Sequence, residues 1–154
     1  MIAPVFVDTN VLVYRFDTTE PAKQRRALQW LDFLWHDELG RVSTQVQHEL
    51  YATLTRKLTM PRDEARQIVA ALQAWNPVLV DHAVVQRAWG IEDRFSLSWW
   101  DALIVAAAQT AGARTLLSED LQVGATYDTV EVVSPFIQQP PNHGVQEQKP
   151  PRYG

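Results

Sequence analysis

Four acidic residues occupy positions where carboxylates can do chemistry. They are Asp8, Glu49, Asp101 and Asp120. Asp8 directly follows an apolar run, 3–7, that predicts a short buried strand, and Asp120 comes shortly after a second such run, 115–117. Ligands bind at the carboxyl ends of the strands in open α/β sheets, so both acids are expected at that edge. Each also has a local explanation, because Asp8 or Asn10 would cap the next helix and Asp120 would form a turn.

Asp101 interrupts an apolar run, 97–108, that predicts a helix buried on every face. An ionised carboxylate in such a helix is costly unless something compensates its charge. Ser98 and Asp101 have the spacing of a capping box, which would put Asp101 at the third helical position, near the positive end of the helix dipole. A local capping role and a role in a binding site are both compatible with this pattern.

Glu49 is predicted to lie in the second turn of a helix over 45–58, because Thr44 and Gln47 also have the spacing of a capping box. Its neighbours along the helix would equally suit an ordinary surface residue. His48 beside it is expected to be exposed, and the four histidines lack metal-binding spacing.

The combination of the four acids is more informative than any one of them. Two strand ends and two helix starts that face the same sheet edge would bring four carboxylates into one cleft. Two unit charges about 4 Å apart repel by about 4 kcal/mol at an effective dielectric of 20, so such a cleft needs cations or protons. Carboxylate oxygens are hard ligands that favour Mg²⁺ or Mn²⁺.

The predicted elements alternate between strands and helices, which indicates a parallel sheet with helices on both faces. Strands are predicted at 3–7, 78–80, 115–117 and 130–133, with a weaker one at 41–43. Helices are predicted from Pro21 to about Glu38 and from Pro61 onward, and Gly112 is expected to end the helix that contains Asp101.

The chain has 154 residues, 46% of them hydrophobic, which is the size of one domain. We expect that domain at 1–137 and a disordered tail rich in proline and glutamine at 138–154. A net charge of −4 argues against bulk electrostatic coating of nucleic acid. The chain has no cysteine and no apolar run long enough to span a bilayer, so we expect a cytoplasmic protein without a membrane segment.

Four segments around the acids resemble the PIN-domain family, and in particular its VapC-like ribonuclease toxins. The segments are VFVDTNVL at 5–12, QVQHELY at 45–51, LSWWDALIVAAA at 97–108 and LLSEDL at 116–121. The resemblance covers most of 2–136, and the segment around Asp101 is the most specific. It does not extend to the tail.

The resemblance implies a metal-dependent endoribonuclease whose acidic quartet is Asp8, Glu49, Asp101 and Asp120. It implies Mg²⁺ or Mn²⁺ as cofactor, RNA as substrate, and a homodimer neutralised by a cognate antitoxin protein. Three further residues would support the site, namely Asn10, Ser118 and Glu119. Asn10 would hold the first Asp in place, and Glu119 is an alternative to Asp120 as the fourth acid.

Two other classes of function fit parts of the sequence. A phosphoaspartyl phosphatase also begins with a strand ending in Asp, but its signature requires a second acid two residues later, where this chain has Asn10. A non-catalytic interaction module could keep the fold, although the presence of all four acids speaks against it. Basic residues such as Lys23 and Arg56 are expected to lie on solvated helix faces.

Overall fold

The computed structural model describes residues 3–141, which form a five-stranded sheet and six α-helices. The strands are β1 (Val5–Val7), β2 (Gly40–Arg41), β3 (Thr115–Leu117), β4 (Thr126–Tyr127) and β5 (Val130–Val133). Their spatial order is β2-β1-β3-β5-β4, and every neighbouring pair is parallel except β4 and β5. The predicted α/β class with a parallel sheet is therefore confirmed.

The helices pack into two groups. They are α1 (Thr9–Tyr14), α2 (Pro21–His36), α3 (Thr44–Arg56), α4 (Arg62–Ala71), α5 (His82–Phe95) and α6 (Trp99–Thr110), with a short 3₁₀ helix at Leu72–Trp75. Helix α1 contacts α2 and α3, and α3 contacts α4, whereas α5 packs on α6. In α6 every side chain from Ala102 to Ala108 is buried, as its uniformly apolar sequence predicted.

The register of the central strands sets the position of the first acid. Strands β1 and β3 are parallel, with Val7 opposite Leu117, so the residues that follow them are neighbours at the carboxyl edge. The backbone N–H of Asp8 extends the pairing by donating to the Leu117 carbonyl at 3.0 Å. The fold thus places Asp8 beside Ser118, the first residue after β3.

One predicted strand, 78–80, was wrong, and one observed strand was not predicted. Val78 forms only a single parallel bridge with Ser43, because the N–H of Val80 then bonds to the Thr44 hydroxyl and α5 begins at His82. Strand β4 was not predicted, because it has two residues and joins β5 through a tight turn in which Asp128 has a φ of 59°. This edge pairing is antiparallel.

The predicted start of α3 was also wrong. Its N-cap is Ser43, whose hydroxyl accepts from the N–H of Val46 at 3.3 Å, so the helix begins at Thr44 and ends at Arg56. The Thr44 hydroxyl accepts instead from the N–H of Val80 at 3.1 Å. Helix α2 starts at Pro21 as predicted but ends at His36.

The chain continues to pack on the domain beyond residue 137. The indole of Trp30 donates to the carbonyl of Gln138 at 2.8 Å, and Pro140 is buried. The rest of the predicted tail, 142–154, lies outside the described residues. None of the helices within 3–141 is long and apolar enough to cross a bilayer.

Gly40 provides a test of the packing beside β1. A Cβ atom at this position would overlap the buried indole ring of Trp75. We predict that Gly40→Ala lowers the free energy of unfolding by about 1–3 kcal/mol in a denaturant titration. The control is Gly90→Ala in α5, where a Cβ has no atom within 4 Å, and which should raise stability by about 0.5–1 kcal/mol. Equal stability of Gly40→Ala and the unmodified protein would contradict the packing.

Candidate active site

Asp8 directly follows strand β1 and caps the next helix. Its Oδ1 accepts from the backbone N–H of Thr9 at 2.8 Å, and its extended backbone makes it the N-cap of α1. The two interpretations of Asp8 are therefore compatible, because one side-chain oxygen is sufficient for the cap. Its other oxygen, Oδ2, is directed to neighbours at the carboxyl edge of the sheet.

Within residues 3–141, the carboxylate of Asp8 is buried and has no ion-pair partner. Only 6% of the surface of Asp8 is exposed. Oδ2 accepts from the Ser118 hydroxyl at 2.8 Å and from the Asn10 amide at 3.3 Å, both of which are neutral donors. Burial raises the pKa of Asp8 to about 6; the hydrogen bonds from Ser118 and Thr9 oppose this rise, and the nearby carboxylates add to it.

Asn10 links Asp8 to the loop that follows β3. Its Nδ2 donates to Oδ2 of Asp120 at 3.0 Å as well as to Asp8, and its Oδ1 accepts from the backbone N–H of Glu119 at 3.2 Å. The buried hydroxyl of Ser118 accepts in addition from the N–H of Asp120 at 3.1 Å. The negative charge of Asp120 acts on Asp8 and raises its pKa. These two acids therefore lie together.

Glu49 joins this group through two side chains that the sequence analysis did not identify. The hydroxyl of Thr9 donates to Oε1 of Glu49 at 2.6 Å, and the amide of Gln45 donates to Oε2 at 3.1 Å. The charge of Glu49 also raises the pKa of Asp8. The Gln45 contact has a signal in the sequence, because residues four apart face each other on a helix. The Thr9 contact spans 40 positions and has none.

Asp101 is the third residue of α6, as its spacing from Ser98 predicted. The Ser98 hydroxyl accepts from the N–H of Asp101 at 3.2 Å, so the predicted cap forms. Beside Asp101, the carbonyl of Trp100 accepts from the Gln45 amide at 3.5 Å, which connects the start of α6 to the helix of Glu49. Burial, and then the charge of Asp101, raises the pKa of Tyr127.

Three of the four predicted acids thus share hydrogen-bonded neighbours. Thr9 and Asn10 tie Glu49 and Asp120 to the segment that carries Asp8. For Asp101 the link is indirect, because Gln45, which binds Glu49, also donates to the carbonyl of the preceding residue, Trp100. Within residues 3–141, no three acidic or histidine side chains are close enough to enclose an ion without moving. The assignment of the quartet as ligands stays a prediction.

The two adjacent acids after β3 have different partners. The carboxylate of Glu119 pairs with the ammonium of Lys23 on α2, rather than with the group around Asp8. Burial tends to raise the pKa of Glu119, but hydrogen bonds from Lys23 and Tyr14 outweigh it and hold the pKa below its usual range. Of the two, Asp120 is the acid joined to Asp8 through Asn10. Lys23 is thus not the simple solvated residue expected from the sequence.

Two other features are separate from these acids. A cavity of about 560 Å³ lies among α1, α2, α3 and α4, and its lining is mostly apolar, including Leu12, Leu50, Trp35 and Trp75. Such a lining does not suit a polyanion. His48 is exposed, as predicted, and makes no hydrogen bond or ion pair among the residues that the structure describes.

Comparison with known proteins identifies the fold. A comparison with curated protein sequences gave no significant match. Among solved structures, a chain of a toxin-antitoxin complex from Klebsiella pneumoniae superposes with a TM-score of 0.64 at 20% identity, covering 86% of this chain and 98% of that one. The Mycobacterium tuberculosis toxin VapC20, which cleaves the sarcin-ricin loop, superposes with a TM-score of 0.56 at 21% identity, covering 73% and 86%.

At these identities the solved structures show a common fold. The profile of the PIN domain family matches residues 5–127, a segment that contains Asp8, Glu49, Asp101 and Asp120. The match extends over most of the sequence, and so this protein belongs to the PIN domain family.

Proposed function

We propose that this PIN domain protein is a metal-dependent endoribonuclease that hydrolyses RNA phosphodiester bonds and is the toxin of a toxin-antitoxin pair. The observation that carries the proposal is the buried carboxylate of Asp8, which lies with Glu49 and Asp120 and receives hydrogen bonds from neutral donors. Carboxylates clustered at the carboxyl edge of a parallel sheet repel one another and do not stabilise the fold, whereas a cation bound among them would neutralise their charge.

The chemistry of the donors fits a hard dication. Carboxylate oxygens are the ligands that Mg²⁺ and Mn²⁺ prefer. Within residues 3–141, the ion pairs of the structure involve other acids, so lysine and arginine do not already neutralise the four carboxylates. We assign Asp8 and Asp101 as direct ligands of the principal ion, with Glu49 and Asp120 completing the site.

The side chains around the acids would orient the ligands. A bound dication would supply a water of lowered pKa for attack on phosphorus and would offset charge on the phosphate oxygens. Thr9 fixes one oxygen of Glu49 and Gln45 fixes the other, while Asn10 and Ser118 fix Asp8. Mutation of residues that make supporting hydrogen bonds of this kind lowers metal affinity or activity by about 10- to 100-fold.

The RNA substrate and the antitoxin partner rest on the similarity to known proteins. One similar structure is that of a toxin-antitoxin complex and another is a toxin that cleaves the sarcin-ricin loop. An antitoxin bound near the acids would keep the nuclease inactive. A homodimer and a cytoplasmic location, where RNA is available, are part of the same proposal.

The geometry disfavours a phosphoaspartyl phosphatase. That mechanism needs a second acid two residues after the attacking Asp. Here the residue at that position is Asn10, whose amide donates to Asp8 and to Asp120 and cannot act as a general acid.

The first prediction of this proposed function is that the activity depends on a bound metal. Purified protein should cleave single-stranded RNA with Mg²⁺ or Mn²⁺ and lose this activity in excess chelator, because the proposed mechanism uses the dication to lower the pKa of the attacking water and to offset charge on the phosphate. Asp101→Asn should lower the rate at least about 100-fold while leaving the circular dichroism spectrum unchanged. The matched control is Asp63→Asn, an exposed acid on α4 that should keep full activity. Full cleavage in chelator would refute the mechanism.

The second prediction concerns toxicity. Expression in bacteria should arrest growth, and Asp8→Ala should abolish the arrest because it removes a central ligand. Co-expression of a small neighbouring gene that encodes the antitoxin should restore growth. Asp63→Ala should remain toxic. Arrest that persists in Asp8→Ala at equal protein levels would favour a non-catalytic interaction module.

The third prediction concerns stability and pH. The pKa of Asp8 is raised from 3.8 to about 6 in the folded protein, so the folded state holds a proton between these values that the unfolded state has lost. Stability of the metal-free protein should therefore fall as pH rises from about 4 to 6, by about 3 kcal/mol at most.

Thermal unfolding of the metal-free protein and of Asp8→Asn at pH 4 to 8 would measure how much the ionisation of Asp8 lowers the stability. The variant should lack the Asp8 contribution, and the difference between the two proteins should grow with pH. Saturating Mg²⁺ should stabilise the unmodified protein more at pH 7 than at pH 5. A difference between the proteins that is constant over this range would contradict the burial of an ionisable Asp8.

A further inference from the structure

Two adjacent acidic residues follow strand β3, and the proposed metal site would use one of them as a ligand. Glu119 and Asp120 are adjacent in the chain, and both follow the buried Ser118. Asp120 shares Asn10 with Asp8, whereas the side chain of Glu119 is bound by residues of α1 and α2. The two carboxylates are therefore separated in space by their different partners.

Lys23 is the residue that holds Glu119. From α2 its ammonium donates to Oε1 of Glu119 and to the hydroxyl of Tyr14, the latter at 3.2 Å. The ammonium also lies 5.1 Å from the centre of the Tyr14 ring and 5.3 Å from that of Phe136. These two rings pack edge to face at 5.1 Å. Lys23 is thus fixed by an aromatic pair as well as by the carboxylate.

Lys23 binds Glu119 in the loop after β3, and the same loop carries Asp120. The backbone N–H of Glu119 donates to Oδ1 of Asn10, and Nδ2 of the same side chain donates to Asp8 and Asp120. A movement of Glu119 would therefore disturb the side chain that joins the two acids. Without the ammonium of Lys23, the Glu119 carboxylate would also lack its ion-pair partner while lying next to Asp120.

We propose that Lys23, supported by Tyr14, is a positioning residue that keeps Glu119 away from the metal-binding group, so that Asp120 alone of the two acids serves there. The inference rests on the proposed metal site. It assigns to Lys23 a role in ligand choice that an ordinary partly exposed ion pair, with side chains 35% and 29% exposed, would not have. Such pairs contribute little to stability, and a purely structural role of Lys23 predicts that Asp120→Asn weakens metal binding equally with and without Lys23.

The experiment compares the effect of Asp120→Asn on Mn²⁺ affinity in three backgrounds, measured by calorimetry or by electron paramagnetic resonance of free Mn²⁺. The backgrounds are the unmodified protein, Lys23→Met, which frees Glu119, and Lys23→Arg, which keeps the cation. Asp120→Asn should weaken Mn²⁺ binding at least about tenfold in the unmodified and Lys23→Arg proteins. In Lys23→Met the loss should be less than about threefold, because the freed Glu119 takes the place of Asp120.

Adding Glu119→Gln to the Lys23→Met, Asp120→Asn protein should restore the full loss, which attributes the rescue to that carboxylate. Lys23→Gln provides a second neutral background with the same expectation, in case the methionine variant folds poorly. Equal losses in all backgrounds would overturn this inference alone. Failure of the unmodified protein to bind Mn²⁺ would overturn the proposed metal site and the inference with it. A lack of effect of Asp120→Asn in the unmodified protein would overturn the role of Asp120 and the inference, but not the site.

Discussion

The properties of the candidate site depend on the burial of one carboxylate, that of Asp8, among other acids. Taking an ionised group out of water is unfavourable, and its neighbours Glu49 and Asp120 add repulsion. The hydrogen bonds that Asp8 receives come from neutral groups, so they reduce the penalty without removing it. The raised pKa of Asp8 expresses the remaining cost. A site with this property is poised to take up a proton or a cation.

Three consecutive residues organise the group of acids. Asp8 accepts from Ser118, Thr9 donates to Glu49, and Asn10 bonds both to Asp120 and to the Glu119 backbone. Because β1 is the strand between β2 and β3, the residues that follow it lie within reach of the β3 loop. Asp8 is the extended N-cap of α1 and Thr9 and Asn10 are its first residues, so the three side chains are directed to different neighbours. One short segment thus fixes the positions of acids that are distant in sequence.

The sequence predicted the parts of the site that depend on local rules. Asp8 follows a strand, Asp101 follows a capping serine, and both rules concern residues within a few positions of one another. Prediction from the sequence failed where a contact between residues distant in the chain determines the local structure. Ser43 rather than Thr44 caps α3, because the Thr44 hydroxyl is taken by Val80, 36 positions away. Likewise the pairing of Lys23 with Glu119 spans 96 positions, and the charge pattern of α2 alone indicates only solvation.

The way α6 is built explains how the fold tolerates such a site. All of its side chains from Ala102 to Ala108 are buried, so its position is fixed by packing against β3, β5 and α5. Polar and exposed residues lie at its two ends, and at the start these are the cap Ser98 and Trp100, which is 63% exposed. Asp101 is therefore held at the end of a rigid element whose apolar burial, at roughly 25 cal/mol per Å², is independent of the acids. The stability that the acids cost is supplied by residues that take no part in the chemistry, which allows the charges to remain unneutralised until a ligand binds.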